Sequence, residues 1–335
     1  MRRSAKKPST ARKSRRSQPV LRLRLPATSA NLGPAFDAAA LAMDFYIEIE
    51  ARPAQTNEFS IVATGRDPEI CGQLENHLIL NIYREILASA QKRIVPLSLR
   101  IENDIPIGKG CGSSAAARLA GIALAVHFGH LHWSDAQIIA EASHREHHPD
   151  NASACWMGGL TVARMSDSSH SPDIAPNAAP RADIVCIRPK GKWPLLLAVP
   201  EQALSTEEAR RVLPARYSRA DVVSNVQNSM LLLAAFSEGR PDLLSTALDD
   251  RIHQPYRAAL CPLLPALQEL KGTNGILGAV LSGAGPSVLI FLDPRASVQR
   301  ASALVADHLR HALLIAELLP TSITLRGGNT GLPRR

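Results

Sequence analysis

The chain has 335 residues, 45% of them hydrophobic, enough to bury a sizeable core across two domains. No apolar run reaches the ~18 residues needed to cross a bilayer, and the opening segment lacks a secretory h-region, so a cytoplasmic, non-membrane protein is expected. The net charge of +8 sits in residues 1–18, which hold eight of the 38 basic residues and no acid; the remainder is balanced, and no nucleic-acid partner is expected.

Residues 1–19 form a Ser/Lys/Arg-rich stretch that reads as a disordered basic tail, either an anion-contacting arm or a solvated extension. It also resembles a transit peptide, though a short one. Val20–Leu25 alternates as a half-buried strand that Pro26 ends, and a small-residue turn runs to Pro34. Residues 45–50 and 58–63 look like a strand pair. Asn76–Lys92 has helical spacing and Leu97–Ile101 alternates. Asn103–Ser114 is a Gly/Pro loop, followed by an Ala-rich helix over Ala115–His127 and a second helix over Asp135–Glu146. Gly158–Met165 reads as a strand. The Ser/Pro/Asp/Asn-rich segment 166–181 marks a domain boundary, giving halves 20–170 and 171–330. Beyond it come a strand at Trp193–Val199, helices at Thr206–Leu213, Asp221–Ser237 and Pro241–Asp250, and strands at Gly278–Leu281 and Val288–Leu292. An amphipathic helix at Ser297–His311 and a strand at Ile323–Leu325 close the set. Strands and helices mix without a βαβα rhythm, which gives an α+β class. Five cysteines, none in C-x-x-C, fit reduced thiols.

Four segments carry chemistry. In Pro106-Ile107-Gly108-Lys109-Gly110-Cys111-Gly112-Ser113-Ser114-Ala115, alternating glycines run into a helix. Glycines let successive N–H groups face one concavity, and a helix N-terminus adds positive potential, so the segment fits a phosphate cradle. Alone it fits a Ser-capped turn equally well, and it is neither a Walker A loop nor G-x-G-x-x-G. Pro26–Asp37 presents Thr28, Ser29, Asn31 and Asp37 on a loop, suited to a small polar ligand or to a self-bonded turn. Arg145–Asn151 holds Glu146, an oxygen donor fit for Mg²⁺; its three histidines lack the H-E-x-x-H order of a zinc site. Leu281–Val288 is a Gly-rich connection between strands.

In this order and at these separations the four segments resemble the GHMP kinases, the group that includes galactokinase, homoserine kinase, mevalonate kinase and phosphomevalonate kinase. Pro26–Gly33 with Phe36-Asp37, His148-Pro149-Asp150-Asn151-Ala152 with Gly158-Gly159, Ser205–Pro214 and Gln254–Arg257 are similar to the homoserine kinase branch. The resemblance runs from about residue 20 to about 325. It departs at Cys111, where leucine is usual, at Ala35, where glycine is common, and at His147, which replaces a glycine and leaves the path around Glu146 open.

The resemblance implies a GHMP fold. Its first half is a ribosomal-protein-S5-like domain with a left-handed βαβ unit, and its second a ferredoxin-like α/β sandwich. It implies Mg-ATP-dependent phosphorylation of L-homoserine in threonine biosynthesis, with Pro106–Ala115 on the ATP phosphates and Ser114 and Glu146 on the Mg²⁺. Glu141 is the reserve metal ligand. Asn31, Asn151, Ser114 and Glu146 become the catalytic set. Asn151 stands where mevalonate kinase has an aspartate, so a general base there is not expected, and Asn31 or Asn151 orients the hydroxyl. Asn31, Asp37, Asn151, Thr206, Arg210, Arg257 and Gly283 line the substrate site, with the arginines on the carboxylate and Asp37 on the ammonium. A mevalonate- or sugar-type kinase is the nearest alternative, and a nucleic-acid-binding protein using the basic tail is the alternative from a different class. The resemblance also leaves room for a homodimer.

Overall fold

A computed structural model describes residues 20–165 and 181–332. The basic tail at 1–19 and most of the expected boundary segment lie outside the described residues.

The first sheet is built on β1 (Leu21–Ala30) and the 15-residue β2 (Ala39–Pro53). Leu21, Leu23 and Leu25 face the core while Arg22 and Arg24 pair across the solvent face with Glu50 and Glu48 at 2.8 and 2.9 Å. Pro26 does not end β1, contrary to the sequence expectation. The ladder shifts register between Pro26 and Ala27, an irregularity that accommodates the missing donor, and the strand runs on to Ala30. β3 (Ser60–Gly65) is not the hairpin partner of β2. It runs through α1 (Pro68–Gly72) and α2 (Leu78–Ser89) into β4 (Leu97–Asn103) and pairs with β4 in parallel, the βαβ unit of this half. β4 then pairs antiparallel with β2 over 47–53.

α3 (Ser113–Phe128) lies against α2 and β1, and its alanines are buried on nearly every side. α4 (Asp135–Glu146) opens on a Ser134/Gln137 capping box and closes at His147, whose φ of 65° is the left-handed cap that glycine favours. Pro149 then starts a helix that sequence spacing did not reveal, α5 (Asp150–Met157). β5 (Leu160–Met165) joins the far end of β2, and β6 (Ala182–Ile187) joins β5. The first sheet thus takes its last strand from beyond the boundary segment.

The second sheet follows from β7 (Pro194–Pro200), α6 (Thr206–Arg211), α7 (Arg219–Glu238), α8 (Leu244–Ala247), α9 (Gln254–Arg257), α10 (Leu263–Gln268), β8 (Ile276–Leu281), β9 (Val288–Leu292), α11 (Val298–His311) and β10 (Ala316–Ser322). Its strands lie in the order β10-β7-β9-β8, all antiparallel, a ferredoxin-like arrangement. The helix expected over 241–250 is reduced to a 3₁₀ turn plus α8, and the last strand sits at 316–322, leaving Ile323 as a bridge to Met43 of the first sheet. β7 and β9 read as unbroken apolar runs because both of their faces are covered. Leu196, Ala198, Ile290 and Leu292 meet α10 and α11. Leu195, Leu197, Leu289 and Phe291 belong to a core continuous with that of the first sheet.

Candidate active site

The glycine loop leaves β4 and enters α3 with Gly108, Gly110 and Gly112 at φ of 70, 76 and 71°. No side chain caps α3, so its first N–H groups stay free for a ligand. Gly112 is required twice over, by its φ and by space. A Cβ there would overlap the Thr28 hydroxyl and come within 3.2 Å of Asn151 Oδ1. Gly112→Ala is expected to destabilise the fold by at least ~3 kcal/mol, read as a lower urea midpoint. The burial of Cys111 pushes its thiol up to about 12, so it acts as loop packing and not as a nucleophile.

Both sheets hold this loop in place. Thr28 N donates to Cys111 O at 3.0 Å from β1. From the β8–β9 turn, Ser282 Oγ donates to Gly110 O at 2.8 Å and Ser287 N to Lys109 O at 3.4 Å. Asn31, at φ 70°, ties the same turn to β1. Its Nδ2 donates to Gly283 O at 2.7 Å, its Oδ1 accepts from Asp37 N at 2.9 Å, and Gly283 N donates to Ala30 O at 3.1 Å.

These elements surround a cleft of about 570 Å³. Its wall includes Gly108, Gly110, Cys111, Gly112, Ser113 and Ser114 of the loop, and Glu146 and Asn151. Asn31, Asp37, Thr206, Arg210, Arg257 and Gly283 also line it. Pro106 and Ala115 are buried behind the loop and Lys109 turns away to the Glu201 carbonyl, so these three do not line it. Ile107 belongs to an adjoining apolar cavity of about 480 Å³, whose walls include Ile70, Leu78 and Ile105 and which shares Gly108, Ser113 and Ser114 with the cleft. Sequence reasoning missed this cavity because α1, α2 and β4 assemble it from distant segments.

At the head of α3, Arg118 Nη1 donates to Ser114 Oγ and, at 3.1 Å, to Glu146 Oε1. The other Glu146 oxygen is buried without a hydrogen-bond partner. A buried carboxylate oxygen lacking a partner, beside a serine hydroxyl, suits a hard oxygen-seeking cation such as Mg²⁺. Burial raises the Glu146 carboxyl, opposed by the charges of His148 and Arg118. Glu141 is outside the cleft and accepts from Arg145 Nε at 2.8 Å.

His148 lines the cleft beside Glu146. Its Nδ1 donates to Asp150 Oδ1 at 2.7 Å. Burial works against its charge, but the hydrogen bond and charge of Asp150, with Glu146 and Asp37, outweigh burial and raise it to about 9. The imidazolium therefore adds positive charge to the cleft. Asp150 also accepts from Asn151 N at 2.6 Å, and Thr28 Oγ1 donates to Asn151 Oδ1 at 2.6 Å, which fixes the Asn151 amide.

Across the cleft, Arg210 grips Asp37 with two bonds of 2.7 and 3.0 Å. Arg257 is only 1% exposed. Its Nε donates to Ala209 O at 2.9 Å, and its Nη1 donates to His253 Nδ1 at 3.1 Å. The guanidinium lies 5.3 Å from the Phe36 ring centre. His253, missed in the sequence, is what holds it. The opposite ring nitrogen donates to Gly33 O at 2.8 Å, which leaves Nδ1 as the acceptor.

Burial lowers His253 to about 4, against the pull of Asp250. From its ordinary 6.5 down to about 4 the unfolded chain takes a proton that the folded chain refuses. The His253 contribution to stability is then flat above that window and falls by about 3 kcal/mol as pH drops through it. Urea titrations across this range should show that slope, and His253→Gln should flatten it.

Comparison with known proteins fits this geometry. The family model described as the GHMP kinases N terminal domain matches residues 77–159, and that described as GHMP kinases C terminal matches 232–311. A homoserine kinase from Solibacter usitatus is 40% identical over 273 residues, covering 81% of this chain and 84% of that protein. One from Synechococcus is 33% identical over 308 residues, covering 89% and 94%. The crystal structure of a homoserine kinase from Cytophaga hutchinsonii superposes with a TM-score of 0.74 at 21% identity, covering 93% of this chain and 97% of that one, which is a likeness of fold. With the glycine loop, the shared cleft and these relatives in agreement, the chain belongs to the homoserine kinase family of the GHMP kinases.

Proposed function

We propose that this chain transfers the terminal phosphoryl group of ATP to the side-chain hydroxyl of L-homoserine, giving O-phospho-L-homoserine for threonine biosynthesis in the cytoplasm. The observation that carries the reading is one cleft lined both by the glycine loop at the head of α3 and by Arg210 and Arg257. Phosphoryl transfer asks mainly for positioning and charge neutralisation. The free N–H groups from Gly108 to Ser114 would take the phosphates, with the base in the adjoining apolar cavity. Ser114 and Glu146 would hold Mg²⁺, which neutralises phosphate charge when bound.

Homoserine is a zwitterion. Its carboxylate would replace Asp37 on Arg210 and meet Arg257, and its ammonium would take over Asp37, with Thr206 adding a hydrogen bond. Asn151 would orient the hydroxyl. Asn31 has spent its main hydrogen bonds on Gly283 and Asp37, so it would act by shaping the turn around that hydroxyl. The Asn151 amide cannot accept the proton at neutral pH, so the proton would leave with a phosphate oxygen or water. The division at 170/171 would separate the nucleotide half from the amino-acid half, with β6 crossing back.

ADP release should be followed with L-homoserine, mevalonate and galactose in parallel. Turnover is expected with L-homoserine alone. If homoserine gives no more than the other two, the substrate assignment is wrong.

A further inference from the structure

Arg118 stands one turn beyond Ser114 on α3, so its side chain reaches back along the same helix face. The guanidinium donates to Ser114 Oγ and to Glu146 Oε1 at 3.1 Å. These are the two residues assigned above to the divalent ion. The guanidinium fills that position only in part, since the second Glu146 oxygen is buried and unpartnered. A guanidinium and a divalent ion sharing one carboxylate at this depth repel each other, so the two compete for the site. Arg118 also lines the cleft beside the glycine loop, within the space assigned to the phosphates.

We propose that Arg118 is an internal cation that occupies the Ser114–Glu146 position in the nucleotide-free enzyme. It yields that position when a divalent ion arrives with ATP and turns to the triphosphate. The inference rests on the metal and nucleotide assignments made above. It gives Arg118 two jobs, keeping the carboxylate in place before binding and contacting a phosphate oxygen afterwards. It also links the two ligands. The bare protein holds a divalent ion weakly, and nucleotide strengthens that binding by drawing the guanidinium away.

The test is Mn²⁺ binding to the full chain, read by electron paramagnetic resonance, without nucleotide and with a non-hydrolysable ATP analogue. Arg118→Leu without nucleotide should bind Mn²⁺ about tenfold more tightly than the unaltered chain, and its metal-free affinity for the analogue should fall about tenfold. Arg118→Gln, which keeps a donor for Glu146, should show the same two changes and serves if the leucine variant does not fold. Arg145→Leu removes an arginine from the same cleft without touching Ser114 or Glu146, and should leave Mn²⁺ binding within about twofold. Unchanged Mn²⁺ binding in both Arg118 variants, or an equal gain from Arg145→Leu, overturns the proposal while leaving the metal assignment intact. If Glu146→Gln leaves Mn²⁺ binding to the analogue-loaded chain unchanged, the metal assignment itself fails.

Discussion

Arg257→Leu is expected to raise the KM for L-homoserine about 100-fold and to leave the KM for ATP within about twofold. The guanidinium is buried with its Nε on Ala209 O and its Nη1 on His253, which aims the rest of the fork at the cleft. A carboxylate held by such a preset fork gains a charge-assisted contact with little ordering cost. Burial and the nearby Arg210 lower the Arg257 pKa from its usual value, and an incoming anion relieves that tension. Arg257→Lys keeps a charge without the fork and should fall between the two. Initial rates with each substrate varied in turn will separate the effects. Equal rises for both substrates would place Arg257 outside the amino-acid site.

Glu146→Gln should lower kcat by about 100-fold or more and raise the Mg²⁺ concentration for half-maximal rate about tenfold. The substitution keeps the shape and one acceptor for Arg118 but removes the charge that a divalent ion needs. Glu141→Gln is the matched control, expected to stay within about twofold of the unaltered enzyme, because Glu141 itself lies outside the cleft and is already paired with Arg145. Should the control reproduce the loss and Glu146→Gln not, the metal ligand is Glu141.

The glycine loop was legible because its requirement is local. Three positive φ values in five residues favour glycine on backbone grounds alone. The arginines were legible through flanking motifs, not through their own chemistry. What stayed hidden depends on partners distant in sequence. His148 is charged because Asp150, Glu146 and Asp37 surround it, and His253 is neutral because α9 buries it under Gly33. Among the elements, α5 was hidden because it is a helix of only two turns that starts directly after Pro149, too short for apolar spacing to show. The 45–50 and 58–63 runs alternate like hairpin partners, but the register that decides pairing is set by β4 inserting between β2 and β3. Strand β1 outlived its proline because the irregularity after Pro26 was invisible without β2.

The bonds from the β8–β9 turn to Gly110 and Lys109 have a mechanical outcome. They fasten the cradle to both sheets at once, so the molecule cannot open like a clamshell hinged between its halves without tearing them. The short span carrying α6 is moored beside the cradle by Arg210 on Asp37, by the Ala209 carbonyl on Arg257 and, at its start, by Leu204 N on Gly108 O at 3.3 Å. The first two are made by the side chains proposed to receive the substrate's carboxylate. An amino acid that took Arg210 from Asp37 would therefore free one edge of that span while its start stayed fastened to the cradle.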